Sequence, residues 1–258
     1  MPSAPHTLAV DAVILRHNDW GEADRLLSVF TRQAGKLRVV AKGVRKLRSR
    51  KAGHLEPFTH VRLLLAKGRD FWIVTQAETI DAYLPLREDL LRTGYAAYLV
   101  ELLDRFTYEE GEAPGLFPLL VEGLARVELM PDPFISVRFY ELRLLDLVGF
   151  RPDLFHCVSC GEEIKAQDQY FDSHHGGVIC PNCIGRTPTA RPISQDALRF
   201  LRHIQRSSFA EAARADPPQE VRAEMETILN YNLTYLLERR LNSPHFLDEI
   251  RRSRPQEP

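Results

Sequence analysis

Four cysteines carry the most specific chemistry in this chain, and they come as two matched pairs, Cys157-Val158-Ser159-Cys160 and Cys180-Pro181-Asn182-Cys183, with 19 residues between them. A two-residue spacer lets both thiolates of a pair point at one atom about 2.3 Å away, and two such knuckles close a tetrahedron around zinc. Four protein thiolates leave no coordination position for water or substrate, so the site is structural rather than catalytic. Two disulfides or a redox dithiol are the competing readings. The N-terminus, Met1 to His6, has neither the basic flank nor the apolar run of an export signal, which argues against an oxidising compartment. A dithiol enzyme needs one pair, and here a second matches the first. His156, His174 and His175 lie close in sequence and read as surface residues or as supports around the ligands.

The elements that position such a site must come from a chain of 258 residues, long enough for two domains, with no apolar stretch near the ~20 residues of a membrane span. The net charge of −1 hides a division. Residues 1–80 carry 14 Lys and Arg against 7 Asp and Glu, a net +7, whereas residues 81–258 carry 20 against 28, a net −8. From Arg25 to Leu55 there is no acidic residue, and ten cations fall in that stretch. Unneutralised cations repel one another, and nucleic acid is the common polyanion that relieves them.

Short runs rich in branched and aromatic residues carry this charge: Leu8 to Arg16, Arg25 to Thr31, Lys36 to Lys42, Val61 to Ala66 and Phe71 to Ile80. Five short strands suit a small closed barrel. Period two sets Lys36, Arg38 and Lys42 on one face of the third run and Leu37, Val39 and Ala41 on the inward face. The segment Gly43 to Gly53 reads as a basic loop beside that strip. The predicted DNA contacts are Arg25, Lys36, Arg38, Lys42, Arg45, Lys46, Arg48, Arg50 and Lys51, in the manner in which OB-folds track nucleic acid. Trp20, Phe30, Phe71 and Trp72 are candidate stacking residues, most of them expected in the core.

After Pro85 the periodicity becomes helical, over Leu90 to Phe106, Leu116 to Leu129 and Phe134 to Val148. Ser194 is placed as the N-cap of a helix to about Arg206, and a long helix runs from Val221 to Leu241. Arg199, Arg202 and Arg206 share one face of the former and are a second DNA-contact candidate, against the reading of an ordinary exposed face. The termini, Met1 to His6 and Ser253 to Pro258, are expected to be disordered. Glu109, Glu110 and Glu112 read as a solvated loop. No phosphate loop, nucleophile elbow or His-Glu metalloprotease helix is present in the sequence, which points to a binding protein rather than an enzyme.

Several of these residues also carry a family resemblance. Gly21-Glu22-Ala23-Asp24-Arg25, Thr31, Gly35, Ala41-Lys42-Gly43 with Arg45, and Leu55 with Pro57-Phe58 resemble the N-terminal pattern of the bacterial recombination mediator RecO. Arg138-Phe139-Tyr140-Glu141-Leu142, Leu144-Leu145, Gly149, Pro152, Leu154 and Cys157-Val158-Ser159-Cys160-Gly161 resemble the second half of that family. The resemblance implies an α+β chain: an N-terminal OB-fold over residues 1–80, then a helical domain over 81–258 with an embedded zinc knuckle at 155–187. It implies binding of single- and double-stranded DNA, annealing of complementary strands, and work with RecR, and in many bacteria RecF, to load the RecA recombinase on strands coated by single-strand-binding protein. It further implies a cytoplasmic, nucleoid-associated protein that uses no nucleotide. Some members dock the acidic tail of single-strand-binding protein on the helical domain, where Arg138 and Arg143 would be rim positions. The rival reading is a zinc-ribbon protein that binds RNA or transcription machinery, with thiol-exchange chemistry a third.

Overall fold

The computed structural model describes residues 7–109, 111 and 114–253. Met1 to His6, Glu110, Glu112, Ala113 and residues 254–258 lie outside the described residues.

Between Thr7 and Asp81 runs of apolar and polar side chains in a period-two pattern form strands that close into a barrel. Its strands are β1 (Thr7–Trp20), β2 (Asp24–Thr31), β3 (Gly35–Ala41), β4 (His60–Lys67) and β5 (Trp72–Asp81), in the order β1-β2-β3-β5-β4, with β1 also paired to β4. This is the OB-like barrel expected from the sequence. Val10, Ile14, Leu27, Val29, Leu37, Val39, Leu63 and Leu65 fill the interior. The seam between β3 and β5 is short. These parallel strands pair only through Val39 with Trp72 and Val40 with Ile73, so the first half of β3 keeps an edge that β5 does not cover.

Helices follow: α1 (Leu84–Glu88), α2 (Leu90–Phe106), α3 (Leu116–Leu129) and α4 (Phe134–Leu147). The carboxylate of Asp89 caps α2 by accepting from the amides of Leu91 and Arg92. A small antiparallel sheet of β6 (Gln169–Asp172), β7 (Gly177–Ile179) and β8 (Arg191–Ile193) comes next. The chain ends in α5 (Gln195–Arg206), α6 (Phe209–Ala212), α7 (Gln219–Leu237) and α8 (Ser243–Ser253). Ser194 caps α5 as expected, accepting from the amide of Ala197. Ser253, expected to be disordered, closes α8 instead. This helix buries Leu247 and Ile250 and packs on α2, where a side chain at Gly94 would meet Leu247 at 2.7 Å.

Two compact units result. One holds the barrel, α1 to α3 and α8; the other runs from Met130 to Asn242 and holds α4 to α7 with the small sheet. The second has its own core of Phe139, Leu142, Leu154, Phe171, Leu201, Ile228 and Leu229, which includes Cys157 and Cys183. Among the described residues no helix is long and apolar enough to cross a membrane.

Candidate metal centre and nucleic-acid interface

The two cysteine knuckles are built by turns. The amide of Gly161 donates to the carbonyl of Cys157 at 2.7 Å, and Gly161 itself takes φ 79°, a left-handed conformation that glycine adopts without strain. The amide of Cys183 donates to the carbonyl of Cys180 at 2.9 Å, and the amide of Val158 donates to Val178, which ties the first knuckle to β7. All four Sγ atoms then lie within 4.8 Å of one another, with Cys160 and Cys180 3.9 Å apart. A tetrahedron of sulfurs each ~2.3 Å from one ion has an edge of about 3.8 Å, so the spacing is compatible with a four-cysteine zinc site.

The four sulfurs sit in unequal surroundings. Burial opposes ionisation of Cys157, but amides outweigh it, foremost that of Cys180 at 3.3 Å from the sulfur, and bring the thiol down to about 6. Burial and the neighbouring sulfurs push Cys180 up to about 12. The nearby histidines stand outside the cluster: His156 pairs with Asp153, the His175 ring meets the Asp172 carboxylate at 2.6 Å, and His174 meets the Tyr235 hydroxyl at 2.7 Å.

The basic stretch proves less uniform than its sequence. Period two holds on β3: Leu37, Val39 and Ala41 are buried, Lys36, Arg38 and Lys42 face outward, and Val40 is buried as well. Counter-charges, however, arrive from residues distant in the chain. Lys36, only 12% exposed, pairs with Asp104 at 2.6 Å and donates to the carbonyls of Asp104 and Thr107, which closes the C-terminal end of α2. Arg38 pairs with Glu109 at 2.7 Å, Arg25 with Glu56 at 2.9 Å, and Arg45 with Asp19 at 3.1 Å. Lys51 donates to the carbonyl of Val74. The expectation of ten unneutralised cations is therefore corrected, because the acid-free window in sequence is not acid-free in space.

Four of the nine predicted DNA-binding residues keep open charges. Lys42, Lys46, Arg48 and Arg50 are exposed, and among the described residues none has an ion pair. Their loop is pinned rather than loose. The Gly43 amide donates to Asp24 at 2.7 Å, the Arg45 amide to the carbonyl of Ala23, and the Ser49 amide to the carbonyl of Lys46. Val44 and Leu55 anchor it in the barrel core, while Leu47 at its tip is fully exposed.

Of the aromatic candidates, Phe30 is buried and Trp72 packs against the barrel core. Trp20 is 48% exposed and meets Phe71 edge to face at 6.1 Å. On α5, Arg199 pairs with Asp196 and Arg206 is exposed, but Arg202 donates to the carbonyl of Leu154 at 2.6 Å and lies over Phe155. The three arginines thus do not act alike. Arg138 is also removed from any rim: it is buried and paired at 3.0 Å with the fully buried Glu141. Arg143 is partly exposed and donates to the carbonyl of Ser207.

A closed OB-like barrel followed by a helical domain with four clustered cysteines defines a barrel-and-helix protein whose cysteine cluster is compatible with a structural metal site. Family models described as recombination protein O N terminal and recombination protein O C terminal match residues 6–83 and 87–245. The DNA repair protein RecO of Roseiflexus sp. (strain RS-1) is 41% identical over 241 residues, 93% of this chain and 85% of that protein. That of Dehalococcoides mccartyi (strain CBDB1) is 34% identical over 247 residues, 96% of this chain and 97% of its own length. That of Bacillus pumilus (strain SAFR-032) is 30% identical over 240 residues, 93% of each. The chain belongs to the RecO family of DNA repair and recombination proteins.

Proposed function

We propose that this protein is a recombination mediator that binds single- and double-stranded DNA through the loop cations Lys42, Lys46, Arg48 and Arg50, anneals complementary strands, and has no catalytic activity of its own. The observation that carries this reading is the presence, on one pinned loop of the barrel, of four exposed cations without acidic partners among the described residues. Phosphates bound there release counterions, which makes binding tight at low salt and indifferent to sequence. A surface that neutralises two strands at once reduces their repulsion and lets bases pair. Arg25, Lys36, Arg45 and Lys51 hold the barrel and its loops together and orient the cationic surface. Arg199 and Arg206 form a secondary contact at most.

In this reading Cys157, Cys160, Cys180 and Cys183 hold one structural zinc, supported by sulfur spacing and by the closed ligand set. The family also points to RecR and single-strand-binding protein as partners, and to RecA as the recombinase loaded at the end.

Competition among a single-stranded oligonucleotide, the matching duplex and a structured RNA for the full chain tests the proposal. Both DNA forms should compete at similar concentrations, with annealing of complementary strands at the same protein concentrations. Preference for structured RNA with no annealing would instead favour an RNA-binding role.

A further inference from the structure

The open edge of β3 lies beside a cleft of about 230 Å³, walled by Arg38 on one side and by the β4–β5 turn, Lys67 to Phe71, on the other. Its chemistry differs from that of the loop. Cations and aromatic rings meet there: Arg38 lies 5.8 Å from the Phe71 ring, Lys67 and Arg69 line the opposite wall, and Trp20 stands against Phe71 from the end of β1. Trp20 is half exposed, at the surface of a chain that had core space for other aromatics. Asp70 also lines the cleft and partly offsets its charge.

An acidic residue already sits in this cleft. Glu109 follows α2, forms a single parallel bridge to Lys36 on the open edge, and places its carboxylate 2.7 Å from Arg38. Gly111 is pressed onto β3, since a side chain at Gly35 would meet its carbonyl at 2.1 Å. The solvated loop expected from the sequence is, at Glu109, a strap along the barrel edge. Both partners of the Arg38–Glu109 pair stay close to half exposed, so water and a competing anion can reach it. A carboxylate on a guanidinium occupies the place where a phosphate oxygen would bind.

We propose that this cleft is a single-nucleotide subsite for a DNA strand: a base stacks on Trp20 and Phe71, its phosphate takes Arg38, and Glu109 holds the phosphate position until the strand displaces it. The proposal rests on the DNA-binding reading and assigns it a site apart from the loop cations. Glu109 lowers the affinity of the empty cleft for small anions, whereas a strand that also gains base stacking overcomes it.

The test uses the full chain with an oligothymidylate and an abasic strand of equal length. Glu109→Gln should bind oligothymidylate more tightly by about two- to five-fold, the range that an exposed ion pair allows. Its salt slope should steepen by about 0.7, one single-strand phosphate. In an Arg38→Gln background the Glu109→Gln gain should vanish, which a merely structural role for Glu109 would not produce. Trp20→Ala should lose about five-fold or more of its affinity for oligothymidylate, as expected for one stacked base, with little change on the abasic strand. A chain that binds neither strand would overturn the DNA-binding reading itself. A chain that binds both strands, with Glu109→Gln and Trp20→Ala indistinguishable from the parent, would overturn the subsite alone.

Discussion

Glu141 shows how much a single residue can demand of its surroundings. It is fully buried on α4 against Arg138, itself 3% exposed, inside a run that otherwise supplies core residues such as Phe139, Tyr140 and Leu142. Burying a charge pair repays its desolvation only while both partners are present. Glu141→Ala should therefore cost about 3 to 5 kcal/mol in chemical denaturation, while Glu141→Leu with Arg138→Met should recover much of that loss. If the single variant loses less than about 1 kcal/mol, the pair is not the constraint that its burial indicates. At the cysteines the same reasoning involves a cation. Replacing Cys160 or Cys183 by Ser should lower bound zinc and melting temperature together, as expected where metal binding is part of the folding free energy. A purified, reduced protein without metal at full stability would contradict it.

At the scale of elements, the features legible in the sequence are the local ones. The alternation along Leu8 to Arg16 and the periodicity along Leu90 to Phe106 mark β1 and α2, and Ser194 marks the start of α5, because each signal lies within a few residues of its consequence. The cysteine spacing is local in the same sense. Pairing across distance leaves no such mark. Lys36 and Asp104 are 68 residues apart, and Arg38 meets Glu109 only because α2 returns the chain to the open edge of β3. The helix α8 is not legible because its apolar residues, Leu247 and Ile250, follow a polar segment and declare themselves only against Gly94. A pH effect belongs to this scale too. His60 on β4 is buried beside Phe117, and burial holds its pKa below the usual ~6.5. The folded chain keeps it neutral while the unfolded chain takes up a proton, so its share of stability is present above pH ~6.5 and is lost as pH falls through the lowered folded pKa. Denaturation midpoints between about pH 8 and 5 should fall less steeply in His60→Gln than in the parent. Equal slopes would exclude His60 as the source.

For the whole molecule, charge divides differently over compact units than along the chain. Residues 1–80 are +7, but the unit that contains them, residues 1–129 with 243–258, carries 21 Lys and Arg against 20 Asp and Glu, a net +1. Residues 130–242 carry 13 against 15, a net −2. Net charge therefore does not separate the two units; the local feature that sets the barrel's unit apart is four cations, Lys42, Lys46, Arg48 and Arg50, with no acidic partner among the described residues. A fragment of residues 130–242, loaded with zinc and shown by circular dichroism to be folded, should bind DNA far more weakly than the full chain. Equal affinity would move the interface to the helical unit, with Arg199 and Arg206 as the next candidates.

The central claim, that the loop cations are the main phosphate-binding groups, is tested most directly by the salt dependence of single-stranded DNA affinity in the full chain and in a variant with Lys42, Lys46, Arg48 and Arg50 all changed to Gln. Because these side chains have no acidic partner among the described residues, the variant should keep its melting temperature. Its affinity should fall for every sequence alike, and the slope of log K against log salt should shrink by about 0.7 for each phosphate no longer neutralised, about 3 for all four. A variant that is folded and has the slope of the parent would show that DNA is held elsewhere on the molecule.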